Sequence, residues 1–260
     1  FSRLKYTIDK MGVEAFKAEL EKRCGFKLEE PKPYTFTRRQ DDYGWHKNHE
    51  GKWYFTAFVE NGRVLDDEQI ALKTAFLEVA KTGKANFRFT CNQNVIISDI
   101  APKDKKAVEK ILQDFGVIAH TDKAGAVRKS AIACVSFNTC PLALAEAQRY
   151  LPSLITKIEP ILAKHNLQDD EISLRMTGCP NGCGRPYVAE IGFVGTAYGR
   201  YNLHLGGDRE GFRLNKKYKE NIDEPAILKE LDELFERYSK NRKSGETFGD
   251  FAVREKLVTF

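Results

Sequence analysis

The stretch Ile172-Ser173-Leu174-Arg175-Met176-Thr177-Gly178-Cys179-Pro180-Asn181-Gly182-Cys183-Gly184 runs an apolar segment straight into a loop with two cysteines and three glycines. Residues 172–176 read as a strand, so the thiols fall just past a strand end. Upstream, residues 131–137 read as a second strand that carries Cys134, with Cys140 in the segment after it. Five residues separate Cys134 from Cys140, and three separate Cys179 from Cys183. Each pair lies where a strand gives way to a loop or helix, so two neighbouring strand ends can bring four thiolates together. Four thiolates suit either an iron–sulfur cluster or tetrahedral zinc. Structural zinc favours spacers of roughly two to four residues, which this pattern fits less well. Cys-Pro occurs twice, at Cys140-Pro141 and Cys179-Pro180, as it also does in bacterial ferredoxin runs. The glycines permit positive φ and close backbone approach, with amides free to point at sulfides or an anion. The plainer reading is a tight turn holding two buried cysteines.

Working outward, residues 142–162 are helical in content, interrupted at Pro152 and Pro160. Residues 187–194 and 201–205 read as strands with turns at Gly195 and Gly199, and His204 as a strand residue, not a ligand. A last helix has Asp223 as its cap, Pro225 in its first turn, and a face of Ile227, Leu228, Leu231, Leu234, Phe235 and Tyr238. Before the cysteines, residues 53–59 are strand-like in aromatic and β-branched content. Asn61-Gly62 then reads as a turn and residues 63–65 as a short strand. Asp66 or Asp67 caps a helix carrying Ile70, Phe76, Leu77 and Ala80, which Gly83 ends. Residues 87–90 and 95–97 are further strands, and Asp104 starts a helix with Val108, Ile111, Leu112 and Phe115 on one face. At the N-terminus Val13, Phe16 and Leu20 recur at helical spacing with Gly25 as a stop. Pro31, Pro33 and Arg38-Arg39-Gln40-Asp41-Asp42 read as a linker or exposed loop.

The fold class is therefore α+β, with mixed sheets and packed helices. Residues 1–43 are read as the remnant of a preceding domain and a linker, 44–125 as a small sandwich-like half-domain, and 126–260 as the cysteine-bearing domain.

Composition narrows the function classes. The chain has 260 residues, 42% hydrophobic and 30% charged, and a net charge of +5. Its basic residues alternate with acids, as in Lys17-Ala18-Glu19-Leu20-Glu21-Lys22-Arg23, so no nucleic-acid stripe is present. No apolar run reaches membrane-spanning length. The start, Phe1-Ser2-Arg3-Leu4-Lys5, has neither an initiator methionine nor a secretory layout, so a piece of a longer cytoplasmic protein is expected. Six cysteines in a reduced chain point to metal or redox chemistry, with Cys24 and Cys91 read as small core hydrophobes.

Two quoted segments carry a family resemblance. Ala133-Cys134-Val135-Ser136-Phe137-Asn138-Thr139-Cys140-Pro141-Leu142-Ala143 and Thr177-Gly178-Cys179-Pro180-Asn181-Gly182-Cys183-Gly184-Arg185-Pro186 resemble the sirohaem and [4Fe–4S] signature shared by sulfite and nitrite reductases. Lys5-Tyr6-Thr7, Thr35-Phe36-Thr37, Glu60-Asn61-Gly62-Arg63, Leu72-Lys73-Thr74, Asn92-Gln93-Asn94, Arg200-Tyr201-Asn202-Leu203-His204-Leu205-Gly206-Gly207 and Phe248-Gly249-Asp250-Phe251 extend the likeness to the C-terminal half of the NADPH-dependent sulfite reductase haemoproteins.

The resemblance implies a six-electron reduction of sulfite to sulfide, with electrons from NADPH through a flavoprotein partner. It implies Cys134, Cys140, Cys179 and Cys183 as cluster ligands, with Cys183 bridging to the sirohaem iron. It also implies that Asn181, Arg88, Asn92, Gln93 and Lys5 approach the cofactors. Residue 44 to residue 125 would be the family's ferredoxin-like half-domain. The basic residues that grip the anion would lie in an N-terminal half outside this chain, so the fragment alone is expected to be inactive. A sirohaem nitrite reductase and a non-catalytic four-cysteine zinc module are the alternatives.

Overall fold

A computed structural model describes residues 4–35, 40–208 and 210–260, with Lys5 in its backbone alone. Residues 1–37 and 38–260 form two compact units. In the first, helices α1 (Leu4–Met11) and α2 (Val13–Cys24) follow each other across Gly12. Gly25, in the left-handed region at φ 74°, ends α2 by donating its N–H to the Glu21 carbonyl. No residue of α2 is buried, so Cys24 is exposed and not the core hydrophobe expected of it. Residues 36–39 of the expected linker lie outside the described residues.

The second unit has two sheets and two hydrophobic cores. The first sheet comprises β1 (Gly44–Lys47), β2 (Trp53–Ala57), β3 (Asn86–Phe89) and β4 (Val95–Ile100), in the order β1-β2-β4-β3, all antiparallel. One face buries Phe55, Ala57, Val95 and Ile97 against α3 (Leu72–Lys81) and α4 (Lys105–Asp114), with α5 (Val117–Lys123) alongside. The order strand, strand, helix, strand, strand, helix is as expected, but the strands differ. β1 comes from the first residues of the half-domain, which were not expected to form a strand. Residues 63–65 form no strand. Asn61, at φ 49°, lies in a 3-10 segment, Glu60–Gly62, just before them. Helix α3 starts at Leu72, with Asp66 accepting from the Thr74 N–H at 3.0 Å.

The second sheet has the order β5-β6-β7-β8-β9: β5 (Ile132–Ala133), β6 (Leu174–Thr177), β7 (Ile191–Ala197), β8 (Arg200–Leu205) and β9 (Lys216–Ile222). β5, β6 and β7 are parallel; β8 and β9 are antiparallel additions, so the sheet is mixed. α6 (Ala126–Ser130) leads into β5. α7 (Leu151–Lys164), α8 (Glu224–Asn241) and α9 (Phe248–Arg254) supply the apolar cover. Leu154, Ile158, Leu231, Phe235 and Phe251 are all buried there, each worth about 1.5–3 kcal/mol of transfer free energy. α8 follows its sequence signals: Asp223 caps it by accepting from the Ala226 N–H at 3.2 Å, with Pro225 in the first turn.

Three expectations for this region are corrected, two of them by a tertiary contact. β5 stops after Ala133, because Ser136 takes φ 51° and folds the chain into a turn. The helix expected from residue 142 begins only at Leu151; the N–H groups of Leu144 and Ala145 are instead spent on the Gly178 carbonyl, at 2.8 and 3.0 Å. Gly195 is a strand position in β7, not a turn, where a Cβ would lie 2.6 Å from the Gly178 carbonyl oxygen.

Candidate functional site

The parallel pairing Ile132↔Arg175 and Ala133↔Met176 sets β5 and β6 in register, so both chains leave the sheet on the same edge. Cys134 is the first residue past β5, and Cys179 is the second past β6. Sites at the carboxyl ends of parallel strands recur because backbone groups there have no further ladder partner. Here those groups turn towards sulfur. The Gly178 N–H donates to Cys134 Sγ at 3.2 Å, and the Thr177 hydroxyl donates to the same sulfur at 3.6 Å. Thr177 is fully buried, which keeps water from competing for the sulfur on that side.

The two cysteine loops are bonded to each other. Cys134 N–H donates to the Met176 carbonyl at 3.1 Å, and the Cys134 carbonyl accepts from Gln148 N–H at 3.0 Å. The turn from Ser136 to Cys140 closes with Cys140 N–H on the Ser136 carbonyl at 2.9 Å. The second loop closes with Arg185 N–H on the Gly182 carbonyl at 2.8 Å, and Tyr187 donates its hydroxyl to the Pro180 carbonyl at 3.0 Å. Burial raises the Tyr187 pKa, and the neighbouring Cys179 adds to the effect, so the phenol remains a donor.

The glycines serve two purposes. Only Gly182 has a positive φ, 73°. Gly178 and Gly184 are needed for space: a Cβ on Gly178 would meet Ser136 Oγ and Ala145 O, and one on Gly184 would meet Met176 O and sit 3.0 Å from the Cys134 nitrogen. Cys179 is buried, Cys134 and Cys140 are half-buried, and Cys183 and Asn181 are exposed. The first loop also exposes Val135, Leu142 and Leu144.

The other expected residues lie in distinct settings. Gln93, at φ 67° in the β3–β4 turn, donates its amide to the Ala133 carbonyl at 2.8 Å and accepts from the Ala133 N–H at 3.3 Å. Asn92 donates to Asp41 Oδ1 at 3.2 Å, in a hub where Asp41 also accepts from Thr90 and Asn94. Arg88 lies on the sheet face turned away from α3 and α4, with Tyr54, Thr56 and Ser98 around a cleft of about 450 Å3. Its guanidinium bonds Ser98 and pairs with Asp99 at 2.9 Å. Hydrogen bonds from Asn86, Arg88 and Ser98 hold the Asp99 carboxyl well below the usual range. Lys5 is named among the expectations, but its side chain lies outside the described residues. His204 is a β8 residue whose ring packs edge-on against Tyr187, as expected of a strand position. Cys91 is exposed in the β3–β4 turn, which corrects the core role expected for it; its carbonyl accepts from Arg185 at 2.5 Å.

Gln148, Thr177 and Arg185 were not singled out as site residues with any assigned role. Their part depends on contacts between segments far apart in sequence, and local periodicity carries no trace of that.

Among the described residues, no group of three or more His, Cys, Asp or Glu side chains converges tightly enough to hold a metal ion. Structural zinc asks for that convergence, with sulfurs about 2.3 Å from a single point. A cluster that takes one thiolate at each of several irons asks for thiols spread around a larger body. Two facing loops, with one sulfur already receiving two donors, present thiols that either kind of centre could use.

This geometry coincides with a family match. Residues 46–115 match the Nitrite/Sulfite reductase ferredoxin-like half domain, a span that runs from within β1 to the end of α4. Nearly the whole chain is also homologous to sulfite reductase haemoproteins. It is 62% identical over 253 residues to the sulfite reductase [NADPH] hemoprotein beta-component of Leptospira biflexa serovar Patoc, covering 97% of this chain and 46% of that protein. It is 51% identical over 257 residues to the component of the same name in Shigella dysenteriae serotype 1, covering 99% and 45%. Among solved structures, Mycobacterium tuberculosis NirA shares the fold at a TM-score of 0.80 and 25% identity, over 98% of this chain and 48% of that one. The chain thus spans about half the length of the relatives it matches.

Proposed function

We propose that this chain is the cluster-bearing half of a sirohaem sulfite reductase, with Cys134, Cys140, Cys179 and Cys183 as ligands of a [4Fe–4S] cluster. The observation that carries the reading is the paired exit of Cys134 and Cys179 from adjacent parallel strands, with Cys134 Sγ receiving the Gly178 N–H. The high identity to sulfite reductase haemoproteins supports sulfite over nitrite as substrate. When bound, the cluster and sirohaem supply six electrons to convert sulfite to sulfide, delivered from NADPH through a flavoprotein partner.

The chain's own residues hold and tune that chemistry. Thr177 and Gly178 stabilise the Cys134 thiolate and so favour the more reduced, more negative state of anything it ligates. The Cys183 thiol is exposed at the loop tip beside Asn181, in keeping with a ligand shared with a second cofactor. Arg88 sits on the uncovered face of the first sheet, where it could exchange Asp99 for a cofactor carboxylate. Six free cysteines suit a reducing, cytoplasmic compartment. No helix among the described residues is long and apolar enough to cross a membrane.

The test is metal analysis and turnover on the full-length polypeptide purified anaerobically. The expected result is about four cluster irons and four acid-labile sulfides per chain, with faster turnover of sulfite than of nitrite. Zinc without sulfide would replace this reading with a structural metal site, and faster nitrite turnover would change the substrate. The 260-residue chain alone is expected to produce no sulfide.

A further inference from the structure

The β3–β4 turn of the first sheet reaches across to the second sheet at the point where Cys134 begins. β5 is an edge strand of only two residues, and Ala133 is fully buried. On its inner side the segment is paired: Cys134 N–H donates to the Met176 carbonyl. On its outer side, no further strand among the described residues takes the Ala133 N–H and carbonyl. A buried backbone group left unmade costs about 1–3 kcal/mol. The Gln93 side chain meets both groups at once, accepting at 3.3 Å and donating at 2.8 Å, as a neighbouring strand would.

A second amide pair reinforces this junction. Gln148, whose N–H binds the Cys134 carbonyl, donates its side chain to the Asn61 carbonyl at 2.8 Å, and Asn61 returns a bond to the Gln148 carbonyl at 3.3 Å. Asn61 and Gln93 both hold positive φ, and Gly62 lies between their paths: a Cβ on Gly62 would sit 3.3 Å from Gln93 Cβ. Cys134 is therefore fixed on both sides of its peptide by amides tied to the half-domain.

We infer that Gln93 is a positioning residue for the ligand Cys134, acting through Ala133. The half-domain then sets how firmly the first ligand is held. This rests on the cluster assignment above. Partners that orient a metal ligand without binding the metal commonly change affinity by about 10- to 100-fold.

The experiment uses the full-length polypeptide and reads iron release into a chelator, beside the thermal melt. Gln93→Leu keeps the approximate size and loses both bonds; it is expected to release iron roughly 10-fold faster than the parent. Gln93→Glu keeps the acceptor for the Ala133 N–H and loses the donor, so an intermediate rate is expected. Val79→Ala, a core change in α3 away from the cysteines, controls for general destabilisation and is expected to release iron at the parent's rate. Parental release from Gln93→Leu, or equal acceleration in Val79→Ala, would overturn the inference. Should Gln93→Leu not fold, Gln93→Glu decides in the same way. Amide hydrogen exchange in the unaltered protein is a check that needs no variant: slow exchange at Ala133 is expected, and exchange at the rate of an open edge strand would also overturn it. A parent with no iron and no labile sulfide would instead defeat the cluster assignment.

Discussion

The Gly178 N–H points at the sulfur of Cys134 across 3.2 Å, so a thiol from the end of one strand is held by the backbone of the next. The contact joins two segments more than forty residues apart, and it exists because β5 and β6 run parallel in fixed register. It also explains why the position after Thr177 has no side chain, since a Cβ there would meet Ser136 and Ala145.

Gly178→Ala should therefore disrupt the site through volume alone, because the N–H is retained. Overpacking at a tight junction costs about 1–3 kcal/mol. Urea unfolding of the variant should show a loss in that range, together with reduced iron binding.

Thr177→Val removes one donor to Cys134 Sγ and keeps the side-chain shape. With fewer hydrogen bonds to sulfur, the reduced state loses stabilisation. If the proposed cluster is bound, its redox titration should give a lower midpoint potential than the parent, with circular dichroism unchanged.

Arg128 ties the half-domain to the second sheet's helices. Its guanidinium pairs with Glu60, bonds Glu159 at 3.0 and 2.7 Å, and bonds Thr156 at 2.9 Å, with a side chain only 17% exposed. Arg128→Ala leaves two half-buried carboxylates without their partner, and a loss of about 2 kcal/mol is expected in denaturant unfolding. Arg128→Lys should recover only part of it, because an ammonium cannot serve three acceptors in the plane of a guanidinium fork.

Two half-buried histidines make stability depend on mild acid. Burial lowers the pKa of His120 and of His204 below the ordinary 6.5. Below 6.5 the unfolded chain takes up protons at these positions that the folded chain does not, so stability falls as pH falls through that window. The urea midpoint should drop between neutral pH and pH about 5.5. His120→Phe, which preserves the stacking with Phe58, should flatten the drop. Carboxylates such as Asp232, held low by Lys164 and then His165, stabilise the fold fully above the usual 3.8 and lose that contribution only as pH falls below it.

Local pattern was enough for several elements. The helix from Asp223 through Tyr238 carries its cap, its proline and its apolar stripe within a short span of sequence, and it forms as read. β6 is likewise local, a β-prone run that stops where Gly178 begins the loop. Elsewhere local content misled. Residues 142–150 have helical composition, yet the Leu144 and Ala145 amides are taken by the Gly178 carbonyl. β1 and β9 carry too little apolar periodicity to be read, and they form because a sheet edge was present to receive them, whereas α9 has a local signal in its Thr247 cap and in Phe248, Phe251 and Ala252 at helical spacing.

By itself, then, the sequence determined the mixed α+β class, the two closely spaced pairs of cysteines and the family they resemble, because spacing and residue type are local properties of the chain. The tertiary structure alone decided that Gln93 meets the Ala133 backbone, that Arg185 reaches the Cys91 carbonyl, and that two of the loop glycines serve close packing and not unusual φ. Each of these depends on which backbone groups the two sheets leave unpaired where they meet, and no spacing within a single segment encodes that.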